Sequence, residues 1–299
     1  MQFKRAKRKI HGVLLLDKPL GYSSNQALQK VKWLFQAEKA GHTGTLDPLA
    51  TGLLPICFGE ATKFVQYVTD ADKTYIANIK LGVKTTTGDA EGEVISKQPV
   101  NVSRQQFEQT CQQFIGTISQ IPPMHSALKH EGKALYKYAR EGLEIERKAR
   151  QVTIQHITVI SLNGSDAVIN VRCSKGTYIR TLAEDIGSAL GCGAHLRALR
   201  RTETAGYSIQ NTLNINQLEE MSLEMRDQQL LPLDSAIARL PMVMISIDAA
   251  YYFRQGQAIW EPGHVPDGSL RIYEEDGAFI GLGIRLEDGK IAPKRLVNL

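Results

Sequence analysis

The stretch GHTGTLDPLATG, residues 41–52, surrounds one carboxylate, Asp47, with three glycines and a proline, and an apolar run follows it. Pro48 disfavours the helical conformation for the residue before it, and the glycines permit tight turns of the backbone. The composition therefore predicts a rigid loop that presents Asp47, with His42 and two threonines beside it. Read locally, Asp-Pro is also a common turn dipeptide, so a plain turn remains an alternative interpretation.

Periodicity on both sides of this loop predicts an α+β fold. Residues 11–21 are typical of a buried strand closed by a turn, and residues 23–36 of a helix with a Ser23–Gln26 capping box. Further elements are expected as strands at 74–83, 93–96, 152–162 and 167–173, and as helices at 104–116 and 177–191. Because strands and helices alternate without a regular βαβ rhythm, we expect a mixed, mainly antiparallel sheet flanked by helices.

Two of these segments carry more specific expectations. Residues 84–92, KTTTGDAEG, have the composition of a hairpin turn between two strands. Their likeness to a calcium loop is superficial, because the ligand spacing fails. The helix at 104–116 is expected to end at Gly116 and to bury four apolar side chains, namely Phe107, Cys111, Phe114 and Ile115.

Two regions differ in composition from this core. Residues 122–150 form a long, charged insert with several tyrosines, and a segment of that kind within a compact domain is usually functional or mobile. From about residue 245, short apolar strands and turns follow one another closely, which predicts a small β-rich domain. We therefore expect a basic tail at 1–10, a core domain at 11–245 and a small domain at 246–299.

The charge is unevenly distributed along the 299 residues. The net charge is +5, and residues 248–299 carry eight acidic and six basic side chains, so the first 247 residues hold a net charge of +7. Basic residues cluster at 4–9, at 129–150 and in LRALRRT, which contains Arg197, Arg200 and Arg201. Any one cluster suits a solvated surface, but three together favour a polyanionic partner such as a phosphate backbone.

Several classes of protein are disfavoured by the sequence. No apolar stretch approaches the roughly 20 residues of a membrane span, and the basic start lacks a signal-peptide core, so we expect a cytoplasmic protein. The four cysteines lie far apart and suggest neither a zinc site nor disulfides. Phosphate loops, dinucleotide fingerprints and metalloprotease or hydrolase motifs are missing, so we expect no metal and no cofactor.

Two further residues are chemical candidates. Arg180, in CSKGTYIRTLAEDIG, is expected in the first turn of a helix, where a guanidinium could pair bidentately with a carboxylate and keep it ionised in a poorly solvated pocket. Tyr75, at the start of a strand, could offer a flat face to a nucleic acid base. Taken alone, Arg180 suits a surface arginine and Tyr75 a core tyrosine.

Several motifs together resemble one family. AGHTGTLDPLATGLLPICFGEATK strongly resembles the catalytic motif of the tRNA pseudouridine synthase B family. GVLLLDKPLGYSSN, DKTYIANIKLGVKTTTGDAEGE, IPPMHSALKHEGKALYKYAREG and CSKGTYIRTLAEDIGSALGCGAHLRALRRTETAGY resemble other motifs of this family, in its usual order, over most of residues 11–207. The resemblance implies the pseudouridine synthase fold, and the last fifty residues resemble the family's PUA-type RNA-binding domain.

The resemblance implies roles for three catalytic residues. Asp47 matches the essential aspartate, and Arg180 matches the arginine that forms a salt bridge with it. Tyr75 matches the aromatic residue that stacks on the target base and helps in the final deprotonation. The implied reaction isomerises the T-loop uridine at tRNA position 55 to pseudouridine, which requires no metal or cofactor.

Five more positions match substrate-binding residues of the family. His42 matches the residue that enters the T-loop and holds it open, and Leu199 matches an apolar residue at the pocket wall. The remaining matches lie in the KP and GTYIRT motifs, namely Lys18, Pro19 and Tyr178. His125 is a departure, because many relatives carry tyrosine there.

The implied partner is the T-arm of tRNA, bound by a monomer without guide RNA and without a membrane. Two alternatives remain open from the sequence. One is a non-catalytic RNA-binding or tRNA-folding protein, which the basic clusters fit equally well. The other is a related synthase that acts on another RNA or through guide RNAs, since guide-dependent relatives also resemble the family in GHTGTLDP.

Overall fold

The computed structural model describes residues 7–263 and 265–299, so Lys4 and Arg5 of the expected basic tail lie outside it. The strands are β1 (Gly12–Lys18), β2 (Ala40–His42), β3 (Ala50–Phe58), β4 (Lys73–Leu81), β5 (Val83–Thr85), β6 (Val94–Lys97), β7 (Gly116–Gln120), β8 (Lys129–His130), β9 (Lys133–Ala134), β10 (Arg150–Asn163), β11 (Asp166–Cys173), β12 (Ala194–Thr204), β13 (Tyr207–Ser208), β14 (Met242–Ile245), β15 (Ser269–Glu274), β16 (Phe279–Arg285) and β17 (Ile291–Leu296). The helices are α1 (Ser24–Leu34), α2 (Val65–Thr69), α3 (Arg104–Gln112), α4 (Leu135–Arg140), α5 (Ile179–Ala189), α6 (Ile215–Glu220), α7 (Leu223–Asp227) and α8 (Ile247–Arg254).

One large sheet organises the first part of the chain. Among the described residues it has nine strands, in the order β1-β3-β12-β4-β11-β10-β7, with β2 beside β3 and β13 beside β12. The pairing of β3 with β12 is parallel, whereas the other pairings of this sheet are antiparallel. The predicted α+β class, with a mixed and mainly antiparallel sheet, is confirmed.

Helices α1, α3 and α5 cover the sheet with apolar faces. The Ser23–Gln26 capping box opens α1, as predicted, because the Ser23 hydroxyl accepts from the Gln26 amide while the Gln26 side chain accepts from the Ser23 amide. Helix α3 buries Phe107 and Cys111, but it ends at Gln112 and leaves Ile115 about one-third exposed, so that part of the prediction was wrong. None of the helices in the described ranges is long and apolar enough to cross a bilayer.

The expected hairpin at 74–97 is divided between two sheets. Strand β4 lies in the middle of the large sheet, between β12 and β11. The chain turns at Gly82, and the short strands β5 and β6 then form a separate two-stranded hairpin. The turn between them contains a buried carboxylate, that of Asp89. The prediction of a plain hairpin turn at 84–92 therefore missed the main feature of this segment.

A second sheet forms at the C-terminal end of the chain. In the described residues it contains β14, β15, β16 and β17, and Phe253 of α8 packs into its apolar core. This sheet contacts the rest of the chain through the rings of Phe64 and Phe279, whose centroids lie 5.8 Å apart, and through a 2.8 Å bond from Lys63 Nζ to the Leu296 carbonyl. A C-terminal β domain is thus confirmed, while its start at 246 remains a prediction.

The register of the central strands aligns four residues in a row. Lys18 of β1 lies opposite Gly52 of β3, Gly52 lies opposite Arg201 of β12, and Arg201 lies opposite Tyr75 of β4. Gly52 has a φ of +101°, and a Cβ there would lie 2.3 Å from the Arg201 carbonyl oxygen and 2.8 Å from its amide nitrogen. A glycine is therefore required at this point of the parallel pairing.

We expect Gly52→Ala to lower the free energy of unfolding by about 2–4 kcal/mol, because it combines a strained φ with a backbone clash. Gly164→Ala is the matched control, since Gly164 also has a positive φ of 59° but nothing lies within 4 Å of its added Cβ. That control should lose about 1 kcal/mol. Urea unfolding of both variants measures the difference, and equal losses would contradict the role given to Gly52.

Candidate active site

The loop that carries Asp47 is held by two residues near the start of α1, Gly21 and Ser24. Ser24, at the start of α1, accepts a bond from the Leu46 amide at 2.7 Å and donates to the Leu46 carbonyl at 3.0 Å. The Gly21 amide donates to the Pro48 carbonyl at 2.9 Å. These bonds fix the backbone on both sides of Asp47, whose side chain stays 43 % exposed. The loop is thus a rigid mount for one accessible carboxylate.

Arg180 lies in the first turn of α5 and is nearly buried, with 6 % of its side chain exposed. Its Nη2 atom lies 3.0 Å from Asp47 Oδ2, and its Nη1 atom lies 3.3 Å from Asp89 Oδ2. Nη2 also donates to the His125 carbonyl, and Nη1 to the Thr87 carbonyl at 3.4 Å. The guanidinium therefore joins two carboxylates and two segments of backbone.

Asp89 is a member of this network that the sequence analysis missed. Its side chain is 4 % exposed, and it accepts from the Thr87 hydroxyl and, at 3.1 Å, from the Glu91 amide. The sequence offered one signal, an aspartate among threonines and glycines, and that pattern is also typical of a turn. Only the fold shows that the carboxylate faces Arg180 rather than solvent.

Burial and charge act in opposite directions on Asp47. Burial raises the pKa of Asp47 above its ordinary value, and the negative charge of Asp89 adds to this rise. The positive charges of Arg180 and Lys18 oppose it. Arg180 thus favours the ionised carboxylate against the desolvation of the pocket, as the sequence analysis expected.

Five of the eight sequence-predicted site residues line one cavity of about 570 Å³, namely Asp47, Tyr75, Tyr178, Arg180 and Leu199. Tyr75 is 7 % exposed, and burial raises the pKa of its phenol. Leu199 lies in β12 between Ala50 of β3 and Ala77 of β4, so the cavity has an apolar wall where these three strands meet. The cavity thus combines one carboxylate with a tyrosine and an aliphatic surface.

Lys18, Pro19 and His42 do not line this cavity but lie next to its walls. The Lys18 ammonium is fully buried and donates to the carbonyls of Pro19, at 3.0 Å, and Tyr22. Burial lowers the pKa of Lys18 to about 8. His42 is half-buried in β2, and its Nδ1 atom has no hydrogen-bond partner among the described residues.

Arg201 differs from the surface residue that its basic cluster suggested. The side chain is fully buried, and its Nε atom donates to the Leu53 carbonyl at 2.7 Å. Its neighbours in the cluster are paired with carboxylates, Arg200 with Asp17 at 2.7 Å and Arg197 with Asp166 at 2.9 Å. Of the three arginines, Arg197 and Arg200 are thus ion-paired but still partly exposed, whereas Arg201 is not available at the surface.

The described residues also hold a second cleft, of about 430 Å³, between α2 and residues 236–240. None of the predicted site residues lines it. Within residues 7–263 and 265–299, no group of three or more His, Cys, Asp or Glu side chains is arranged to hold a metal ion. The carboxylate cavity is accordingly the candidate active site.

We expect Arg180→Met to lower the free energy of unfolding by about 3–5 kcal/mol, because it leaves the carboxylate of Asp89 buried without its cation. Adding Asp89→Asn removes that charge, so the double variant should be more stable than Arg180→Met alone. Urea unfolding of the two single variants and the double variant completes the cycle. Additive losses would show that Arg180 and Asp89 do not interact.

The chain matches three sequence families along its length. Residues 32–179 match the TruB family pseudouridylate synthase N-terminal domain, residues 180–238 match the tRNA pseudouridylate synthase B C-terminal domain, and residues 241–297 match the C-terminal domain of pseudouridine synthase II TruB. The three matches follow one another from the first helices to the second sheet. They confirm the resemblance seen in the motifs.

Individual relatives agree with these matches. The tRNA pseudouridine synthase B of Methylobacillus flagellatus is 59 % identical, over 100 % of this chain and 99 % of its own. That of Ectopseudomonas mendocina is 52 % identical, over 99 % and 98 %. Among solved structures, a Cbf5–Nop10–Gar1 complex contains a chain that is 28 % identical with a TM-score of 0.73, over 96 % of this chain and 84 % of that one. The chain therefore belongs to the tRNA pseudouridine synthase B family, whose members are isomerases.

Proposed function

We propose that this chain converts the T-loop uridine at tRNA position 55 to pseudouridine, with Asp47 as the essential carboxylate. The observation that carries the proposal is the placement of Asp47. It is accessible at a cavity walled by Tyr75 and Leu199, and it is paired with the buried Arg180. Family membership supports the reaction, and this geometry supports the assignment of residues.

The reaction breaks the bond between uracil N1 and ribose C1′ and joins the same ring to C1′ through C5. The uridine must first leave the RNA stack, which costs about a few kcal/mol. Stacking on an aromatic face returns about 1–3 kcal/mol per base, and Tyr75 offers such a face at the cavity. The 570 Å³ cavity has room for one nucleoside, and Tyr75 and Leu199 in its walls can hold the detached ring while it turns.

Asp47 supplies the negative charge that bond breaking requires. Its carboxylate can attack C1′ or remove the C2′ proton, and both routes begin from the ionised form. Arg180 is bound to Asp47 Oδ2, so Oδ1 is the oxygen left to face the ribose. The four protein contacts of Arg180 hold it in place and thereby orient the carboxylate.

After reattachment, the C5 proton must leave the ring. Tyr75 is the titratable group at the apolar end of the cavity, and we assign it a part in this step in addition to stacking. Its raised pKa keeps the phenol protonated at rest. Transfer of the C5 proton therefore requires that the phenol pass its own proton on, and the cavity opens to solvent for that purpose.

RNA binding is assigned to residues around the cavity. Tyr178 lies at the cavity, with Arg150 stacked near its ring at 5.9 Å, and is placed to contact the flipped nucleotide. His42 is assigned to hold the T-loop open, and Lys18 and Pro19 to shape the backbone beneath Asp47. The insert at 122–150 is assigned to grip the T-arm, since three of its basic residues, Lys129, Lys137 and Arg140, are exposed.

We propose that the chain acts alone, as a monomer and without guide RNA. The structurally similar Cbf5 chain was solved in complex with Nop10 and Gar1, so the point needs a direct test. The purified protein should form pseudouridine in a synthetic T-arm hairpin with nothing else added. A protein that binds the hairpin tightly without modifying it would be an RNA-binding protein, and activity that requires an added RNA would indicate guide dependence.

We expect Asp47→Asn to bind the T-arm hairpin as the unaltered protein does and to lose turnover. The amide keeps the size and one acceptor of the carboxylate but cannot carry its charge. Filter binding measures the affinity, and nucleoside analysis after digestion measures pseudouridine. Pseudouridine formed by this variant would contradict the assignment of Asp47.

The pH dependence should reveal the network around Asp47. Activity should fall as the pH drops through the pKa of Asp47, and burial places that pKa above the ordinary 3.8. Removing the Asp89 charge by Asp89→Asn should move this acid limb to lower pH, because that charge raises the pKa. Removing the cation by Arg180→Gln should move the limb to higher pH. Single-turnover rates measured across pH test both signs, and limbs that do not move in opposite directions would contradict the assignment.

A further inference from the structure

Arg201 is a buried cation without a counter-ion. Its side chain has no exposed surface, and neither Nη1 nor Nη2 has a hydrogen-bond partner among the described residues. Its one hydrogen bond of standard geometry runs from Nε to the Leu53 carbonyl. Its guanidinium also acts on the neighbouring Tyr75 phenol, whose pKa it lowers against the rise that burial causes. Burial of an unpaired charge is costly, and an apolar side chain of similar size would pack at lower cost. Packing alone therefore does not explain an arginine here.

The other basic groups around Arg201 are already engaged. Lys18 donates to two backbone carbonyls, and Lys73 donates to the carbonyls of Thr69, at 2.7 Å, and Ala71. Burial and the charge of Arg201 lower the pKa of Lys73 to about 8, and the same two causes lower the pKa of His42. Arginine keeps its charge under these conditions, so Arg201 is the permanent cation of the group.

The fold places Arg201 at the side of the cavity assigned to the base. It lies directly opposite Tyr75 across the β12–β4 pair, and two residues after Leu199 on the same strand. Its Nη1 atom also lies 3.6 Å from the position of a Cβ on Gly44, in the loop that carries Asp47. Arg180, by contrast, is bound to the carboxylate itself. The cavity is thus lined by two guanidinium groups, one paired with the carboxylate and the other beside Tyr75 and Leu199.

The reaction moves negative charge between these two places. When the C1′–N1 bond breaks, its electron pair stays on N1, and uracil becomes an anion delocalised over the ring and its two carbonyl oxygens, O2 and O4. At the same time Asp47 loses its charge, either by forming a bond to C1′ or by taking the C2′ proton. The total charge is unchanged, but its negative part has moved from the side of Arg180 to the side of Arg201.

We propose that Arg201 stabilises the detached uracil anion by its fixed charge, an inference that rests on the proposed function of Asp47. The guanidinium lines the cavity beside Tyr75 and Leu199, where its fixed charge acts on the base. A charge already in place before the reaction needs no reorganisation when the bond breaks, so it stabilises the developing anion effectively in a poorly solvated cavity.

The test compares two leaving groups. 5-Fluorouracil is a stronger acid than uracil, so its anion depends less on a nearby cation. In single-turnover reactions with T-arm hairpins, Arg201→Met should slow pseudouridine formation from uridine about 100–1,000-fold. Consumption of 5-fluorouridine at the same position should slow by a much smaller factor, about tenfold or less. Equal slowing of the two substrates, or no slowing of either, would overturn the proposal.

Matched variants separate charge from structure. Leu199→Ala disturbs the same wall without changing its charge and should slow both substrates by a similar factor. Arg201→Lys should recover part of the uridine rate at low pH and lose it as the pH rises, because a buried lysine gives up its proton more readily than arginine. A lysine variant whose rate relative to the unaltered protein does not vary with pH would count against the proposal.

Folding and the parent function are checked in the same series. Thermal melting and hairpin affinity are measured for each variant, and Arg201→Gln replaces Arg201→Met in the comparison if the latter does not fold. Asp47→Asn is run alongside on the uridine hairpin. If that variant forms pseudouridine, the proposed function has failed, whereas an inactive Asp47→Asn with equal slowing by Arg201→Met shows that the inference on Arg201 alone has failed.

Discussion

The parallel pairing of β3 with β12 is the constraint on which the site depends. It spans three residue pairs, Leu199 with Ala50, Arg200 with Thr51 and Arg201 with Gly52. This short contact brings the loop before β3, which carries Asp47, against a strand nearly 150 residues later in the chain. Strand β12 then pairs with β4, so that Tyr75 reaches the same place. A slip of one residue would turn Leu199 and Arg201 to the other face of the sheet, and the cavity would lose its wall.

The site places charged side chains in the protein interior, where a fold would ordinarily avoid them. The Arg180 guanidinium contacts two carboxylates, those of Asp47 and Asp89, and two backbone carbonyls. These contacts satisfy its donors and hold it against Asp47. Asp89 has no access to the cavity floor and is fully enclosed by the protein, so its contribution is to fix Arg180 and to shift the proton affinity of Asp47. Asp89 therefore adds a charged contact to the two carbonyls that already hold the Arg180 guanidinium.

The sequence allowed a good prediction of the fold and of part of the site. Capping and periodicity placed α1 and the β10–β11 pair correctly, because those signals are local. On local grounds alone, Asp47 also suited an ordinary turn and Arg180 a surface position. The family motifs favoured the catalytic interpretation of both residues. Asp89 and Arg201 were misread for one physical reason. Whether a charged side chain is buried depends on strand pairing across more than 90 residues, and no local pattern distinguishes a buried arginine from an exposed one.

The two buried arginines also show that a residue can contribute differently to the stability of the fold and to the activity of the site. Arg180 is paired, and its removal would strand Asp89, so both the fold and the chemistry need it. Arg201 has no counter-ion, so its removal would leave no carboxylate buried without a cation. Its neighbour Gly52 is required by the backbone, whereas the charge of Arg201 is not. We therefore attribute the buried charge of Arg201 to the reaction. The negative charge leaves the carboxylate that Arg180 holds and moves to the detached base, where a second cation stabilises it.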